Sequence, residues 1–307
     1  MEYALQAEHL TKAFGQTKAL TDLNLAVPRG KVTGFLGPNG SGKTTTIRIL
    51  LGLLRADSGK VTLLDGNPWT DAVDLHKRLV YVPGDVALWP NLTGGQIIDV
   101  LGRLAGGIDK KRKAEMLERF HLDPRKKAKT YSKGNRQKVA LVAALASQNE
   151  LLLLDEPTSG LDPIMEAEFQ ACIREIKKEG RSVLLSSHIF AEVEKLADTI
   201  TIIREGKTVE VGTLEELRHL TSTQIHATFN NPSGELAQLP GVNDYRVTDD
   251  MVIFSVDYDH LSTTLEAMAK LQPSSLVVNP PSLEEIFLSH YTADMSAEQV
   301  AAVKGEL

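Results

Sequence analysis

The run Gly37-Pro38-Asn39-Gly40-Ser41-Gly42-Lys43-Thr44-Thr45 fills every fixed position of the pattern GxxxxGK[ST], and the chemistry open to it is the capture of a phosphate chain. Glycines in such a loop adopt backbone dihedrals that other residues resist, so successive N–H groups turn inward around an anion at the start of a helix. Lys43 would then reach β- and γ-phosphates, and the Thr44 hydroxyl would ligate Mg²⁺. A second chemical cluster is Leu151-Leu152-Leu153-Leu154-Asp155-Glu156. A continuous apolar run ending in two carboxylates is the pattern of a buried parallel strand that delivers charge at its C-terminal edge. There Asp155 would hold the Mg²⁺ shell, and Glu156 would polarise an attacking water. His188 follows another buried run, Val183 to Ser186. A lone His at a strand end is more often structural, but beside the Asp155 strand its imidazole could reach a γ-phosphate. The combination reads as a nucleotide site.

The elements that must position these groups are legible around them. Val32, Gly34, Phe35 and Leu36 form a short apolar run before the phosphate loop, and Ile47, Leu50, Leu51 and Leu54 give the following stretch, Thr44 to Leu54, a helical period. Upstream, Leu5 and Ala7, then Leu20, Leu23, Leu25 and Val27, alternate as strands joined through Phe14-Gly15-Gln16-Thr17-Lys18, an antiparallel start. Phe14 there offers a face to an adenine ring, although alone it is more often core. Strands are expected at Lys60–Leu64 and Leu79–Val82, separated by an amphipathic piece, Ala72 to Lys77. From Gly94 to Ser147 the period is helical almost throughout, with Arg125-Lys126-Lys127 and Lys129 as a solvated charge run. A helix Ile164–Lys178, a hairpin of Thr199–Ile203 with Thr208–Gly212, and a short helix Leu214–Leu220 complete this part. The fold class is α/β.

Beyond Thr223 the patterns change. Ile225, Ala227 and Phe229 alternate, as do Val252, Phe254 and Val256, while Leu261, Leu265 and Met268 share a helical face. Ser275–Val278 adds a strand, and Leu283, Ile286 and Phe287 a helical stripe. This is a small α+β domain without a catalytic cluster, followed by a tail from Ala293 to Leu307 that reads as a frayed helix. The expected division is therefore 1–220, with its helical subdomain at about 90–148, then 221–292, then 293–307.

Composition sets the class. The chain has 307 residues, 42% hydrophobic and 24% charged, the balance of a folded globular protein. No run approaches the roughly 18 to 20 apolar residues that cross a bilayer. The start, Met1-Glu2-Tyr3-Ala4, lacks the regions of a signal peptide, so a cytoplasmic location is expected. A net charge of −6 gives no reason to expect nucleic-acid binding. Cys172, alone in the chain, is expected as an inert, partly buried thiol.

Taken together, the separated motifs between about Tyr3 and Leu220 resemble the nucleotide-binding subunit of an ATP-binding cassette (ABC) transporter. That resemblance implies a P-loop NTPase core with an antiparallel β subdomain and a helical subdomain. Tyr131-Ser132-Lys133-Gly134-Asn135 stands in the place of the family's LSGGQ signature, which implies that Ser132 and Gly134 bind the γ-phosphate held by a partner subunit. Ser159-Gly160-Leu161-Asp162 resembles the D-loop, His188 the switch histidine, and Phe14 the adenine-stacking aromatic. Tyr81-Val82-Pro83-Gly84-Asp85 departs from the family: Gly84 stands where a Gln is expected, with Asp85 as a substitute from the next position. Trp89 reads equally as core or as part of a surface that grips a permease loop. The C-terminal region resembles the accessory domain of drug-exporter ATPase subunits, dimerising or regulatory in kind. The resemblance implies ATP and Mg²⁺ as cofactors, a homodimer, and a membrane-spanning permease on a separate chain that holds the subunit at the inner face of the membrane. Export of drug-like or lipophilic molecules is implied by the C-terminal likeness alone. Two further readings stay open: a soluble relative acting on nucleic acid or the ribosome, and a weakly hydrolysing regulator suggested by Gly84.

Overall fold

The computed structural model describes residues 2–219, 222–229 and 234–292; the Ala293–Leu307 tail lies outside them. Its contacts divide the chain into two compact units, Met1–Val211 and Gly212–Leu307.

The first unit opens with the hairpin β1 (Tyr3–Phe14) and β2 (Thr17–Pro28). β3 (Val32–Leu36) leads through the phosphate loop into α1 (Lys43–Leu50). β4 (Ser58–Leu63), α2 (Ala72–Leu75) and β5 (Leu79–Val82) precede the helical segment α3 (Gly94–Leu104), α4 (Lys110–Arg119) and α5 (Lys133–Leu145). The chain returns through β6 (Leu151–Asp155), α6 (Pro163–Lys178), β7 (Ser182–Ser187), the short α7 (Phe190–Glu194), β8 (Thr199–Arg204) and β9 (Lys207–Gly212). β1 lies between β2 and β4 and pairs antiparallel with both. The other strands form a six-stranded sheet in the order β5-β6-β7-β3-β8-β9.

Strands β3, β6 and β7 are buried along their whole length, as expected of parallel strands covered on both faces. Their register aligns the ends that matter. Asp155 pairs with Ser186 across β6 and β7, and Leu36 with Ser187 across β3 and β7. The phosphate loop, Glu156 and His188 therefore leave the sheet side by side at its C-terminal edge.

The helices are defined by their ends. Thr93 and Gln96 close a capping box at α3, Asp109 accepts from two N–H groups at α4, and Ser132 caps α5. α5 is the central helix, packed against both α3 and α4, with Val139 to Ala146 buried without a break. Arg119 ties α4 to α6: it bonds Glu168 and makes two bonds to Glu175, at 2.8 and 3.0 Å. On the facing side of α6, Cys172 is fully buried, and burial pushes its thiol up to about 12. It is an inert thiol, more deeply buried than the sequence suggests. α1 ends at Leu50 rather than Leu54, because Gly52 takes a left-handed φ of +68°.

The second unit contains α8 (Leu214–Arg218), β10 (Thr223–Thr228), β11 (Val242–Thr248), β12 (Met251–Val256), α9 (Leu261–Leu271), β13 (Ser275–Asn279) and α10 (Leu283–Thr292). Its sheet runs β11-β12-β10-β13, with antiparallel neighbours. Ile225, Ala227, Phe229, Leu236, Val252, Phe254, Val256 and Met268 make its own core. β11 has no counterpart in the sequence reading, since Asn243-Asp244-Tyr245-Arg246 carries no apolar alternation and the strand lies at a sheet edge. The division between Val211 and Gly212 falls before the break expected at 220. The reason is α8: its buried Leu217 belongs with α10, where Leu283, Ile286 and Phe287 are buried.

Candidate functional site

A cleft at the C-terminal edge of the large sheet is lined by Ala19, Pro38, Asn39, Gly40, Ser41, Gly42, Lys43, Thr44, Thr45 and Glu156. Gly42 is the N-cap of α1 with φ of +108°, and a Cβ there would lie 2.6 Å from Leu20 Cδ2. A Cβ at Gly37 would collide with the Ile203 carbonyl. The loop is thus pressed against its surroundings on one side and open on the other, with α1 pointing its free N–H groups into the opening. The Ser41 Oγ is buried and has no hydrogen-bond partner. Lys43 is only 6% exposed, and its ammonium donates to the carbonyls of Gly37 and Pro38.

Burial dominates the electrostatics here. It lowers the Lys43 pKa against the opposing pull of Glu156 and Asp155. It raises the Asp155 carboxyl, and Glu156 pushes the same way, while Ser186, Lys43 and Thr44 pull it down. Two carboxylates face one ammonium at the floor of a cleft whose loop is shaped for anions. A phosphate chain together with a divalent cation fits both features: phosphates meet the loop N–H groups and Ser41, and the cation offsets the acidic pair.

Glu156 has φ of +46°, in the left-handed region that non-glycine residues seldom occupy. The conformation is held by its N–H donating to Ser186 O at 2.8 Å and its carbonyl accepting from Ser159 N–H at 3.1 Å. It turns the side chain out of the strand line toward His188, whose Nδ1 lies 3.0 Å from Glu156 Oε1. The structure therefore brings together the phosphate loop, Asp155, Glu156 and His188.

The remaining candidates lie elsewhere. Phe14 stands 51% exposed beside the turn of the first hairpin, with Lys12 Nζ 5.6 Å from its ring centroid. Ala19, from the same hairpin, lines the cleft and had no signal in sequence, because any small residue would serve. Ser132 caps α5, accepting from Asn135 N–H at 3.3 Å. Gly134 packs so closely on Gly160 that a Cβ would strike its carbonyl. Asp162 caps α6, its Oδ1 accepting from Ile164 and Met165 N–H at 3.1 and 3.0 Å. Ser132, Gly134 and Asp162 form a second cluster around Gly160, and none of them lines the phosphate cleft. The α5 helix behind Ser132 is joined to the Glu156 loop by Gln137 Nε2 donating to Pro157 O at 3.0 Å.

Residues 20–159 match the family model described as ABC transporter, and residues 212–291 match that of the ATP-binding protein DrrA1-3-like, C-terminal domain. The linearmycin resistance ATP-binding protein LnrL of Bacillus subtilis is 32% identical over 93% of this chain and 97% of its own length. The chain belongs to the ATP-binding subunits of ABC transporters. The daunorubicin resistance ATP-binding protein DrrA3 of Streptomyces coeruleorubidus is 34% identical over 95% of the chain and 96% of its own. A solved ATP-binding subunit of an ABC transporter superposes with a TM-score of 0.66 at 28% identity, covering 71% of this chain and 92% of the other. As a member of this family the subunit binds ATP and is an ATPase. The second unit is the accessory domain of the DrrA type.

Proposed function

We propose that this subunit powers the export of drug-like, lipophilic molecules through a membrane-spanning permease on a separate chain, with Mg²⁺ as the metal of the ATP site. The relatives' names, which concern resistance to linearmycin and daunorubicin, support the cargo class. The observation that carries the permease is an apolar groove in the first unit, lined in part by Leu53, Val86, Leu88, Trp89, Leu101 and Leu104. Leu53, Trp89 and Leu104 are 67%, 49% and 66% exposed there, in a chain with no helix, among the described residues, that is long and apolar enough to cross a membrane. Such a patch marks a protein contact, and Trp89 belongs to that surface rather than to the core. The subunit would sit at the inner face of the membrane through this contact.

In the ATP site the backbone N–H groups of Gly40 to Thr45 and the Lys43 ammonium bind the phosphates. Thr44 and Asp155 would hold Mg²⁺, which would supply charge neutralisation on the phosphate oxygens. Glu156 accepts a hydrogen bond from the attacking water and orients it in line with the γ-phosphate. His188 bonds Glu156 through Nδ1 and presents Nε2 to the γ-phosphate. Ser132 and Gly134 stand apart from their own chain's cleft, which supports a homodimer in which each copy closes the other's site with the N-terminus of α5. Phe14 supplies the adenine stacking face. Asp162 would act at the same interface while it caps α6.

Replacing Glu156 by Gln keeps the shape and removes the charge that aligns the water. ATP binding is expected to persist and turnover to fall by at least about 100-fold. The tagged Glu156→Gln chain, purified from detergent-solubilised membranes with ATP, is expected to carry a polytopic membrane protein in stoichiometric amount. Undiminished phosphate release would sink the role of Glu156, and ribosomes or no partner in that preparation would sink the permease.

A further inference from the structure

α7 presents a carboxylate to the protein interior that the ATP site does not use directly. Glu192 is 6% exposed. A buried carboxylate is costly unless it is hydrogen-bonded, and Ser187 Oγ donates to its Oε2 at 3.0 Å. Burial pushes the carboxyl up and the hydroxyls of Thr158 and Ser187 oppose it, but only Ser187 hydrogen-bonds it, and Oε1 is buried with no partner. Ser187 precedes His188 at the end of β7, and its Oγ also accepts from Ile189 N–H at 3.0 Å, so His188 is bracketed by residues tied to one oxygen.

We infer that Glu192 is a positioning residue for hydrolysis: through Ser187 it fixes the turn that carries His188, so that His188 Nδ1 meets Glu156 Oε1 at 3.0 Å. The inference rests on the roles proposed for Glu156 and His188. Glu192 touches neither nucleotide loop nor water, and it acts by holding the spacing of groups that do. A misplacement of about 1 Å in such a pair costs on the order of 100-fold in rate, while the phosphate loop, which dominates ATP affinity, is untouched. The removal of Glu192 therefore lowers kcat and spares KM.

The test is steady-state ATP hydrolysis by the full chain. Glu192→Ala is expected to lower kcat about 10-fold with KM for ATP within about twofold. Glu192→Gln, which keeps an acceptor oxygen and the volume, is expected to recover most of the loss. In a His188→Ala background, Glu192→Ala is expected to add nothing, because both changes break one unit. Should Glu192→Ala not fold, Ser187→Ala cuts the same bond from the other side and is expected to give the same split. Wild-type kcat in Glu192→Ala or Ser187→Ala overturns the inference, as does a loss confined to KM or a loss that adds fully to that of His188→Ala. Glu156→Gln assayed alongside separates the two levels. If it is dead while the Glu192 variants are unaffected, the positioning role alone fails; if it turns over normally, the site reading beneath fails.

Discussion

A side chain at Gly84 would begin 3.3 Å from the Asp155 carbonyl oxygen and 3.4 Å from Glu156 Cβ. The position expected for a Gln thus lies directly against the acidic pair, and the chain leaves it without a side chain. Gly84 is not among the residues with a positive φ, so the backbone does not demand glycine there. Gly84→Gln is expected to fold, with its neighbours giving by a few tenths of an ångström. It should change basal or permease-stimulated turnover severalfold while leaving ATP affinity within about twofold. Unchanged turnover in both assays would remove any role for this departure and leave it a neutral substitution. At this scale the phosphate loop and Asp155-Glu156 were legible because spacing and local pattern define them. Glu192 was not: its role comes from a bond to the turn that carries His188, and a Glu in a short helix after a strand gives no sign of being buried.

Among the elements, α4 and α6 depend on Arg119. Its hydrogen bond to Glu175 is the main reason that carboxyl lies below its usual range. A carboxylate depressed in the folded state adds stability that is complete above its unfolded value of about 4.3 and is lost as pH falls through the folded value. Arg119→Met is therefore expected to cost about 1 kcal/mol in urea melts near neutral pH, a figure kept low because Glu175 is partly exposed. The cost should shrink near pH 4. An equal loss at both pH values would assign the effect to packing instead of charge. Elements with a strong period, such as α6 and β6, lie within a residue or two of where the sequence places them, since their burial is regular. The apolar period overextends α1, because Leu51 and Leu54 continue it past the glycine that ends the helix. β11 was invisible because an exposed edge strand need not alternate.

At the scale of the molecule, each unit has its own buried core, which supports independent folding. A chain ending at Val211 is expected to fold and bind ATP. For the second unit, residues 212–292 should melt cooperatively, whereas 221–292, which lacks α8, would expose the Leu283, Ile286 and Phe287 stripe and melt earlier or bind a hydrophobic dye. Equal melting of the two fragments would favour the break at 220 over that between Val211 and Gly212. The two positions differ because the helical pattern of Leu214 to Leu220 follows β9 closely, and periodicity does not say which core a helix joins.

The strand order also sets a timetable for the nascent chain. β3, made early, is flanked by β7 and β8, made late. During synthesis the phosphate loop therefore emerges from the ribosome long before the strands that flank it, and the parallel pairing must wait for some of the most sequence-distant contacts in the unit. ATP can serve as a ligand that captures the finished sheet. An arrest of translation before Thr199 leaves β3 without its β8 neighbour.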